Sequence, residues 1–451
     1  MSLENLLSDI DCNQNELVEL HRSLVQIPSV NTGFMPTGNE TPVCEFVQKW
    51  LKDSSIESQI LGIVPERGNI ISLMPGTSGK AGLMFMSHTD VVPVENESKW
   101  EFPPFSASIS GGRIYGRGAS DCKALLASQM MAMRILKRNN INLRDSLILA
   151  SGADEEHGGR YGFKWLAENH ADLIDAPFAV NEGGGIPVDA AGNLAYLLGV
   201  GEKGRLQIEI TVRGSSSHAS VPWQGENALF TFSKVLSSIE NYAPEKDVSG
   251  PIFDYLSNFA IEDKPTSENI DQIIQDVELT NPSLASILKA SSRMTLTPTM
   301  VNGGIKSNSV PETINLTCDV RTLPNQDEDY VRNQLDNILN DIDGISYEID
   351  YMAVPNSSEF NSELATQISQ ATSIVLANPE IQWIPSLSTG FTDSRFTRPI
   401  GVLTYGFTGA HPQDDQSKNN VHGTDESVGI KSLVSGAKIM TALAYNMLVE
   451  N

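Results

Sequence analysis

A histidine and an aspartate at the end of an apolar run could bind and support a metal ion. Residues 81–87, AGLMFMS, are nearly all apolar, which is typical of a strand buried on both faces of a sheet. The run ends in His88-Thr89-Asp90, and residues two apart on an extended chain point the same way. A metal-bound imidazole commonly donates its second N–H to a carboxylate, so His88 fits a ligand and Asp90 its partner. For so short a motif, a loop histidine in an ion pair with Asp90 is the alternative.

Further acids and a second histidine follow other predicted strands or stand late in the chain. The first acid lies in GRGASDCK, where Gly116 and Gly118 permit backbone conformations closed to other residues and suit a tight loop. The whole set is Asp121, Asp154, Glu155, Glu156, Glu182 and His422. Open α/β sheets bind ligands at the carboxyl ends of their strands, so we expect these side chains to meet at one edge.

The collected acids predict a metal site. Two histidines and several carboxylates place more negative charge in one cleft than a protein interior leaves unneutralised. Oxygen and imidazole ligands suit zinc or its first-row neighbours, and a shared carboxylate can hold two ions about 3.5–4 Å apart. Divalent cations would therefore resolve the excess of charge.

Alternating strands and helices predict an α/β layer with a mostly parallel sheet flanked by helices. Apolar runs indicate strands at 69–74, 82–86, 146–150 and 178–180, and helical spacing indicates helices at 15–26, 43–51 and 123–138. The last of these helices is apolar nearly all round, and its methionines favour core packing over a cofactor site. From residue 360 the pattern returns, with a helix through 374, a strand at 401–405 and a closing helix to 447.

A second domain interrupts the first. Near residue 204 the pattern changes to alternating apolar and polar residues, which is typical of a sheet with one solvated face. The order strand-helix-strand-strand-helix-strand predicts a compact α+β domain at 202–353, with a helical insertion at about 243–292 to which we assign no chemistry. The first domain is then discontinuous, 1–201 and 354–451.

Composition excludes several classes of partner. The 451 residues carry a formal net charge of −25, which opposes binding to nucleic acid or to anionic lipid. The acidic start lacks the features of a signal peptide, and we expect no membrane span. The scattered cysteines favour reduced thiols in a cytoplasmic protein; they are Cys12, Cys44, Cys122 and Cys318.

The motifs, taken in order, resemble the M20 family of metallopeptidases. They are H-x-D, G-R-G-x-x-D-x-K, D-E-E, N-E-G-G and a late H-x-x-D-E, and together they span nearly the whole chain. This family of co-catalytic zinc hydrolases includes aminoacylase-1, glutamate carboxypeptidase, succinyl-diaminopimelate desuccinylase and carboxypeptidase S. The resemblance implies a zinc-peptidase-type sheet domain with an inserted ferredoxin-like domain that serves as lid and for dimerisation.

The resemblance also implies roles for the collected residues. Asp121 would bridge two zinc ions, for which Co²⁺ or Mn²⁺ could substitute. His88 and Glu182 would complete one site, and Glu156 and His422 the other. Glu155 would be the general base that takes a proton from the attacking water and relays it to the leaving amine. Neighbours on a straight strand point oppositely, so Glu155 and Glu156 require an irregular turn.

Several alternatives stay open at these positions. His411 could replace His422 as ligand, and Cys122 could be a zinc ligand rather than a packed thiol. Members of the family typically have a cis peptide bond after the bridging aspartate, which here is the bond between Asp121 and Cys122. The remaining histidines, which are His21, His157 and His170, fit loop or satisfied positions better than ligand roles.

Residues of the inserted domain and of a later loop resemble the family's substrate-binding positions. His218, in RGSSSHASVP, would cross from the partner subunit of a homodimer to polarise the scissile carbonyl; a turn histidine before Pro222 is the alternative. The residues implied to bind the substrate's carboxylate are Asn308, Arg321, Ser388, Thr389 and Gly390.

The resulting hypothesis is a dinuclear zinc hydrolase that releases a C-terminal amino acid from N-acyl amino acids, dipeptides or short peptides. Glu182 favours the carboxypeptidases and deacylases, because aminopeptidase and dipeptidase branches more often carry Asp there. An aminopeptidase or dipeptidase of the same fold is the second hypothesis. A non-catalytic binding module is the third, although neither a ligand nor the base is missing.

Overall fold

The computed structural model describes residues 1–33 and 37–450. Contacts divide the chain into two units with separate hydrophobic cores. The first unit comprises Met1–Val200, Ser358–Ser386 and Thr392–Asn451, and the second comprises Gly201–Ser357 and Leu387–Phe391.

The elements are numbered in chain order. The α-helices of the described residues are α1 (Leu3–Cys12), α2 (Gln14–Val25), α3 (Thr41–Lys52), α4 (Lys123–Arg138), α5 (Phe163–Asn169), α6 (Ala228–Glu240), α7 (Ile270–Glu278), α8 (Pro282–Ser291), α9 (Glu328–Leu339), α10 (Glu363–Leu376), α11 (Ser394–Thr397) and α12 (Ile430–Leu448). The strands are β1 (Glu57–Leu61), β2 (Asn69–Met74), β3 (Ala81–His88), β4 (Ser108–Ser110), β5 (Arg113–Tyr115), β6 (Ser146–Gly152), β7 (Phe178–Asn181), β8 (Ile186–Ala190), β9 (Asn193–Glu202), β10 (Gly204–Arg213), β11 (Thr295–Gly303), β12 (Thr313–Thr322), β13 (Ile345–Ala353), β14 (Asn356–Ser357), β15 (Gln382–Ser388), β16 (Leu403–Gly406) and β17 (Ser427–Gly429).

The large sheet of the first unit has a parallel centre. Its strand order is β1-β2-β6-β3-β7-β16-β9, with β8 and β15 also paired to β9. The four middle strands run parallel, and β2 and β9 flank them antiparallel. Every residue of β6 is buried, because helices cover both faces of a parallel sheet. The predicted α/β class with a mostly parallel sheet is confirmed.

Helices α4 and α12 form the main core with the sheet. Both pack on β3 and on each other, and the methionines at 130, 131 and 133 of α4 are fully buried. The methionine stripe is core packing, as its sequence predicts. A second hydrophobic cluster includes Phe163 of α5 together with residues of β3 and β6 such as Met84 and Ile148.

The second unit is an antiparallel sheet with helices on one face. Its order is β11-β12-β10-β13, and β10 is antiparallel to both of its neighbours. Alternate residues of β10 are buried against α6 and α9, which explains the alternating sequence. This order is that of a ferredoxin-like unit, so the predicted α+β class is confirmed. Residues 243–292, for which a helical insertion is expected, contain the 3₁₀ segment Pro251–Phe259 and helices α7 and α8.

Helix α1 and strand β9 are among the elements of the first unit that were not predicted from the sequence. Helix α1 has two buried positions, Leu6 and Ile10, which are too few to stand out as a helical pattern. Strand β9 contains Gly199, and glycine lowers strand propensity. A Cβ at Gly199 would lie 2.3 Å from the carbonyl oxygen of Gly183, so the close approach of two backbones requires the glycine.

The sequence also sets expectations for the cysteines and for long apolar helices. All four cysteines are free thiols, and all but Cys12 are buried. Within residues 1–33 and 37–450, we find no helix whose length and apolar content would let it cross a bilayer.

Candidate metal centre

Four neighbouring strands of the first unit end at the same edge of the sheet. β6, β3, β7 and β16 are parallel and adjacent in that order, so their carboxyl ends lie side by side. His88 is the last residue of β3, and Glu182 directly follows β7. Glu155 and Glu156 follow β6 in a 3₁₀ turn, Glu155–His157. One histidine and three carboxylates thus come to this edge from three strands.

Two loops add an aspartate and a second histidine. β5, which precedes Asp121, pairs with β17, which follows His422. The backbone N–H of Gly116 donates to the carbonyl oxygen of Glu426 at 2.8 Å and extends this pairing. His422 itself has a left-handed backbone, with φ of 63°, and its side chain is half exposed.

Asp121 lies between the two histidines and directs one oxygen to each. Nε2 of His88 is 3.0 Å from Oδ1, and Nε2 of His422 is 3.0 Å from Oδ2. Nε2 of His88 is also 3.5 Å from Oε2 of Glu182, and Nε2 of His422 is 3.2 Å from Oε2 of Glu156. Ligand atoms of a tetrahedral zinc site with bonds of about 2.0–2.2 Å lie about 3.3–3.6 Å apart. The His88–Glu182 distance lies in this range, and the other three distances are 0.1–0.3 Å shorter, so both groups of atoms lie close to the spacing of a metal site.

The acids and histidines at this edge have pKa values shifted from their usual values in the metal-free chain. Burial, with the charge of Asp121, raises the pKa of Glu182 to about 8 and that of Glu156 to about 7. Hydrogen bonds to Asp121 and Glu156 raise the pKa of His422 to about 10. Burial alone would lower the pKa of His88, but the neighbouring acids raise it well above its usual value. Metal binding replaces such protons, so divalent cations suit this environment.

Two buried carboxylate oxygens at the edge have no hydrogen-bond partner among the described residues. They are Oε1 of Glu155 and Oε1 of Glu156. Buried polar atoms are nearly always paired, so these oxygens indicate groups that the chain itself does not supply. Burial, followed by the charge of Glu182, raises the pKa of Glu155 well above its usual value. A donor set of imidazoles and carboxylates fits ions of the zinc type.

Asp90 connects His88 to the turn that carries the glutamates. Nδ1 of His88 lies 3.1 Å from the carbonyl oxygen of Asp90 and 3.3 Å from its Oδ1, so Nε2 remains for a metal ion. The Asp90 carboxylate also accepts the backbone N–H groups of Glu155 and Glu156, at 3.2 and 3.1 Å. Asp154, just before them, has a left-handed φ of 65°. The predicted irregular turn is confirmed.

The two glycines of the Asp121 loop have different roles. Gly118 has φ of 79°, which favours glycine, and its N–H donates to Oε2 of Glu426 at 3.2 Å. The expectation of an unusual backbone at Gly116 is wrong, because its φ is not positive. A Cβ at Gly116 would lie 2.5 Å from Val25 and 2.9 Å from the carbonyl oxygen of Pro104, so close packing requires that glycine.

Comparison with known proteins identifies the family. The profile of peptidase family M20/M25/M40 matches residues 84–446, a stretch that contains every residue of the candidate metal centre. The chain belongs to this family. It is therefore a hydrolase of the M20 class, and its α/β fold with a mainly parallel central sheet matches that of solved M20 peptidases.

Relatives of this M20 hydrolase differ in their named substrates. A probable succinyl-diaminopimelate desuccinylase of Staphylococcus aureus is 28% identical over 385 residues, 85% of this chain and 87% of that protein. The N-fatty-acyl-amino acid synthase/hydrolase PM20D1 of Mus musculus is 27% identical over 446 residues, 95% and 87% of the two chains. The M20 family metallo-carboxypeptidase Sso-CP2 of Sulfolobus solfataricus superposes with a TM-score of 0.71 at 22% identity, over 95% and 98% of the chains.

The remaining histidines of the M20 hydrolase have other contacts. His411 accepts the N–H of Gln413 on its Nδ1 at 3.1 Å and lines a separate cavity of about 440 Å³. The ring of His157 packs over Gly33, and that of His170 lies edge-on to Trp165. His21 is buried, and its Nε2 donates to the carbonyl oxygen of Ala119 at 2.8 Å. The structure therefore brings His422, and not His411, to Asp121.

Cys122 follows Asp121 through a cis peptide bond. Its sulfur accepts the backbone N–H of His88 at 3.1 Å and lies 3.5 Å from the carbonyl oxygen of that residue. Ligand atoms of His88, Cys122 and Glu182 lie within 4.8 Å of one another. Burial raises the pKa of the thiol far above its usual value, and the sulfur is already in contact with the His88 main chain. These contacts favour a packed thiol.

The predicted substrate-binding residues belong to the second unit. His218 is exposed, and its Nδ1 lies 2.8 Å from Oγ of Ser220. The backbone of Asn308 accepts the N–H of Ala219, so the two motifs are neighbours. Nη1 of Arg321 donates to the carbonyl oxygen of Thr389 at 3.5 Å, which brings this arginine to the 388–390 loop.

A buried network behind the glutamate turn was not predicted. Arg67 donates to both oxygens of Glu40, at 2.7 and 2.8 Å, and to Oδ1 of Asp154 at 2.9 Å. Asn31 donates to Asp90 and to Asp154. Arg67, Glu40 and Asn31 lie outside every sequence motif. Their partners are distant in sequence, so no local spacing could reveal these contacts.

Proposed function

We propose that the chain is a hydrolase that uses two divalent metal ions to release a C-terminal amino acid from N-acyl amino acids, dipeptides or short peptides. Zinc is the first choice of metal, and Co²⁺ or Mn²⁺ are substitutes. The observation that carries this proposal is the position of Asp121, with one carboxylate oxygen toward His88 and the other toward His422. The name of one relative, an N-fatty-acyl-amino acid synthase/hydrolase, supports the N-acyl amino acid class.

The residues that would hold the ions form two groups with one shared member. Asp121 would be the shared ligand, His88 and Glu182 would complete one site, and His422 and Glu156 the other. When bound, the ions would lower the pKa of water to about 7 and polarise the scissile carbonyl.

Glu155 is the proposed general base. It lies beside Glu156 in the turn that Asp90 holds, and its Oε1 has no other partner among the described residues. A buried carboxylate with a free oxygen can take a proton from the attacking water and give it to the leaving amine. The hydrogen bond that the Glu155 backbone N–H donates to Asp90 would hold the position from which this transfer occurs.

The proposed carboxylate-binding group lies in the second unit and includes Asn308, Arg321 and residues 388–390. Nε of Arg321 donates to Oδ1 of Asp319 at 2.7 Å, and its guanidinium lies 5.7 Å from the centre of the Phe391 ring. Nη2 of Arg321 also donates to Oδ2 of Asp319 at 3.3 Å, so Asp319 holds one edge of the guanidinium and the remaining N–H groups of Nη1 and Nη2 would bind the substrate's carboxylate.

A panel of substrates tests the proposed function. We expect the zinc-loaded protein to hydrolyse N-acetyl amino acids with a free carboxylate and to leave their C-terminal amides intact. Arg321→Met should raise KM for the free acids about 10–100-fold, because a charge-assisted contact is lost. Arg205→Met is the matched control, since Arg205 binds the same Asp319 at 2.9 Å from the neighbouring strand. Cleavage only of substrates with a free amine would instead indicate an aminopeptidase.

We also propose a homodimer through the second unit. β11 is an edge strand whose side chains are exposed, with Met300 and Val301 more than 60% exposed, and Phe230 of α6 is 73% exposed. Open edges and exposed apolar side chains are typical of interfaces. His218 would then act on the substrate of the partner subunit.

Subunit mixing tests the role of His218. His218→Ala and Glu155→Gln proteins should each be inactive, but their mixed dimer contains one site with both groups intact. After random exchange, about a quarter of the wild-type rate should return. No recovery in a confirmed mixed dimer would place both groups in one subunit.

A further inference from the structure

A buried segment near the N-terminus lies along the end of the strand that carries His88. Val30 bridges Val91 in a parallel sense, and the N–H of Asn31 donates to the carbonyl oxygen of Val91 at 2.9 Å. Oγ of Ser29 donates to the carbonyl oxygen of Thr89 at 2.6 Å. Both Ser29 and Asn31 are buried, so the segment is fixed in place by three contacts with residues 89–91.

The side-chain amide of Asn31 joins two carboxylates. Its Nδ2 donates to Oδ2 of Asp90 at 2.9 Å and to Oδ1 of Asp154 at 3.0 Å, while its Oδ1 accepts the N–H of Gly33 at 2.8 Å. An amide nitrogen carries two hydrogens, and each has a carboxylate acceptor here. All three side chains are at most 3% exposed, so no water competes strongly for these bonds.

The two carboxylates hold opposite sides of the glutamate turn. Asp90 accepts the N–H groups of Glu155 and Glu156, and it contacts Nδ1 of His88. Asp154 begins the turn with its left-handed φ, and its Oδ2 accepts the N–H of Arg160 at 2.8 Å beyond it. Buried carboxylates repel each other, so a neutral double donor between them stabilises the arrangement.

Arg67 does not duplicate this contact. It forms ion pairs with Glu40 and Asp154, and its hydrogen bonds to carboxylates end at those two residues in the described chain. Asn31 adds the connection to Asp90, and through Asp90 to His88.

We propose that Asn31 is a positioning residue for hydrolysis, which sets the His88 ring and the Glu155–Glu156 pair by fixing Asp90 against Asp154. This inference rests on the proposed function, because the groups it positions are the proposed base and metal ligands. Asn31 touches neither substrate nor metal.

Three variants test the role of Asn31. Asn31→Ala removes both donors, Asn31→Ser retains a single hydroxyl donor in case the first variant does not fold, and Ser29→Ala is the matched control. The control loses one buried hydrogen bond between the same segment and the same strand, but it leaves both carboxylates untouched. For Asn31→Ala we expect kcat to fall about 10–100-fold with KM unchanged, and zinc affinity by chelator competition to fall similarly. The kcat and zinc affinity of Asn31→Ser should lie between those of Asn31→Ala and the wild type. The kcat and zinc affinity of Ser29→Ala should match those of the wild type.

Hydrogen exchange of the metal-free proteins gives a readout that is independent of activity. The amides of Glu155 and Glu156 should lose protection in Asn31→Ala and Asn31→Ser and keep it in Ser29→Ala. Unchanged kcat, zinc affinity and protection in the folded Asn31 variants would overturn the inference, as would equal losses in Ser29→Ala. If the wild type hydrolyses no substrate while the exchange result holds, the proposed function fails and the positioning of the turn stands.

Discussion

The carboxylate of Glu426 holds Asp121 through its main chain. Oε1 of Glu426 accepts the N–H of Asp121 at 3.1 Å and that of Ser120 at 3.0 Å. Its Oε2 accepts from Nη1 of Arg117 at 2.6 Å. The same glutamate follows His422 by four residues, so a single side chain ties the loop of one proposed ligand to the loop of the other.

Replacing this glutamate should weaken metal binding without removing a ligand. Glu426→Gln retains the size of the side chain but replaces one carboxylate oxygen with an NH₂ group. That group can no longer accept from the loop N–H groups or from Arg117. We expect zinc affinity to fall about 10–100-fold, as found for groups that orient metal ligands. Competition with a chromophoric chelator measures it. Asp425→Asn is the control, because Asp425 accepts the N–H of Glu101 and should leave the affinity unchanged.

The two adjacent glutamates should respond differently to the same substitution. Glu155→Gln should lower kcat about 10²–10⁴-fold with metal content unchanged, because loss of a general base removes proton transfer. Glu156→Gln should lower metal content instead, because it removes a proposed ligand. Paired kinetics and elemental analysis of the two variants distinguish these outcomes. Full turnover by Glu155→Gln would exclude it as the base.

The two late histidines should also differ. His422→Ala should lose about one of the two ions per chain, since its Nε2 faces Asp121 and Glu156. His411→Ala should retain both ions, because its ring contacts Gln413 at a separate cavity. Loss of metal from the His411 variant alone would reverse this assignment.

Buried His21 should make the fold less stable in acid. Burial lowers the pKa of His21 to about 4, whereas an unfolded histidine titrates near 6.5. Below pH 6.5 the unfolded chain binds a proton that the folded chain does not, so the free energy of unfolding decreases as the pH falls toward 4. The total loss is about 3 kcal/mol. We expect metal-free His21→Gln to lose less stability than metal-free wild type between pH 7 and 4 in urea titrations; parallel curves would contradict this.

Local spacing was sufficient to predict only part of the site. His88 and Asp90 stand two residues apart on an extended chain, so their contact follows from strand geometry. Asn31 could not be found in this way, because its partners Asp90 and Asp154 are 59 and 123 residues distant. Such contacts depend on how the folded chain brings distant segments together.

The strands of the fold also divide into those that local sequence predicts and those that depend on tertiary contacts. Continuous apolar runs predicted β3 and β6, because strands buried on both faces leave no polar positions. The pattern did not reveal β9, where Gly199 meets the backbone of Gly183, because that glycine serves a tertiary contact rather than a strand preference.

The number of divalent ions bound per chain tests the central claim most directly. Elemental analysis of purified protein, loaded with zinc and dialysed, should give about two ions per chain. Asp121→Ala should bind less than one, because both groups of ligands share this carboxylate. A wild-type chain that retains no zinc, or an Asp121 variant that retains two ions, would contradict a shared dinuclear centre.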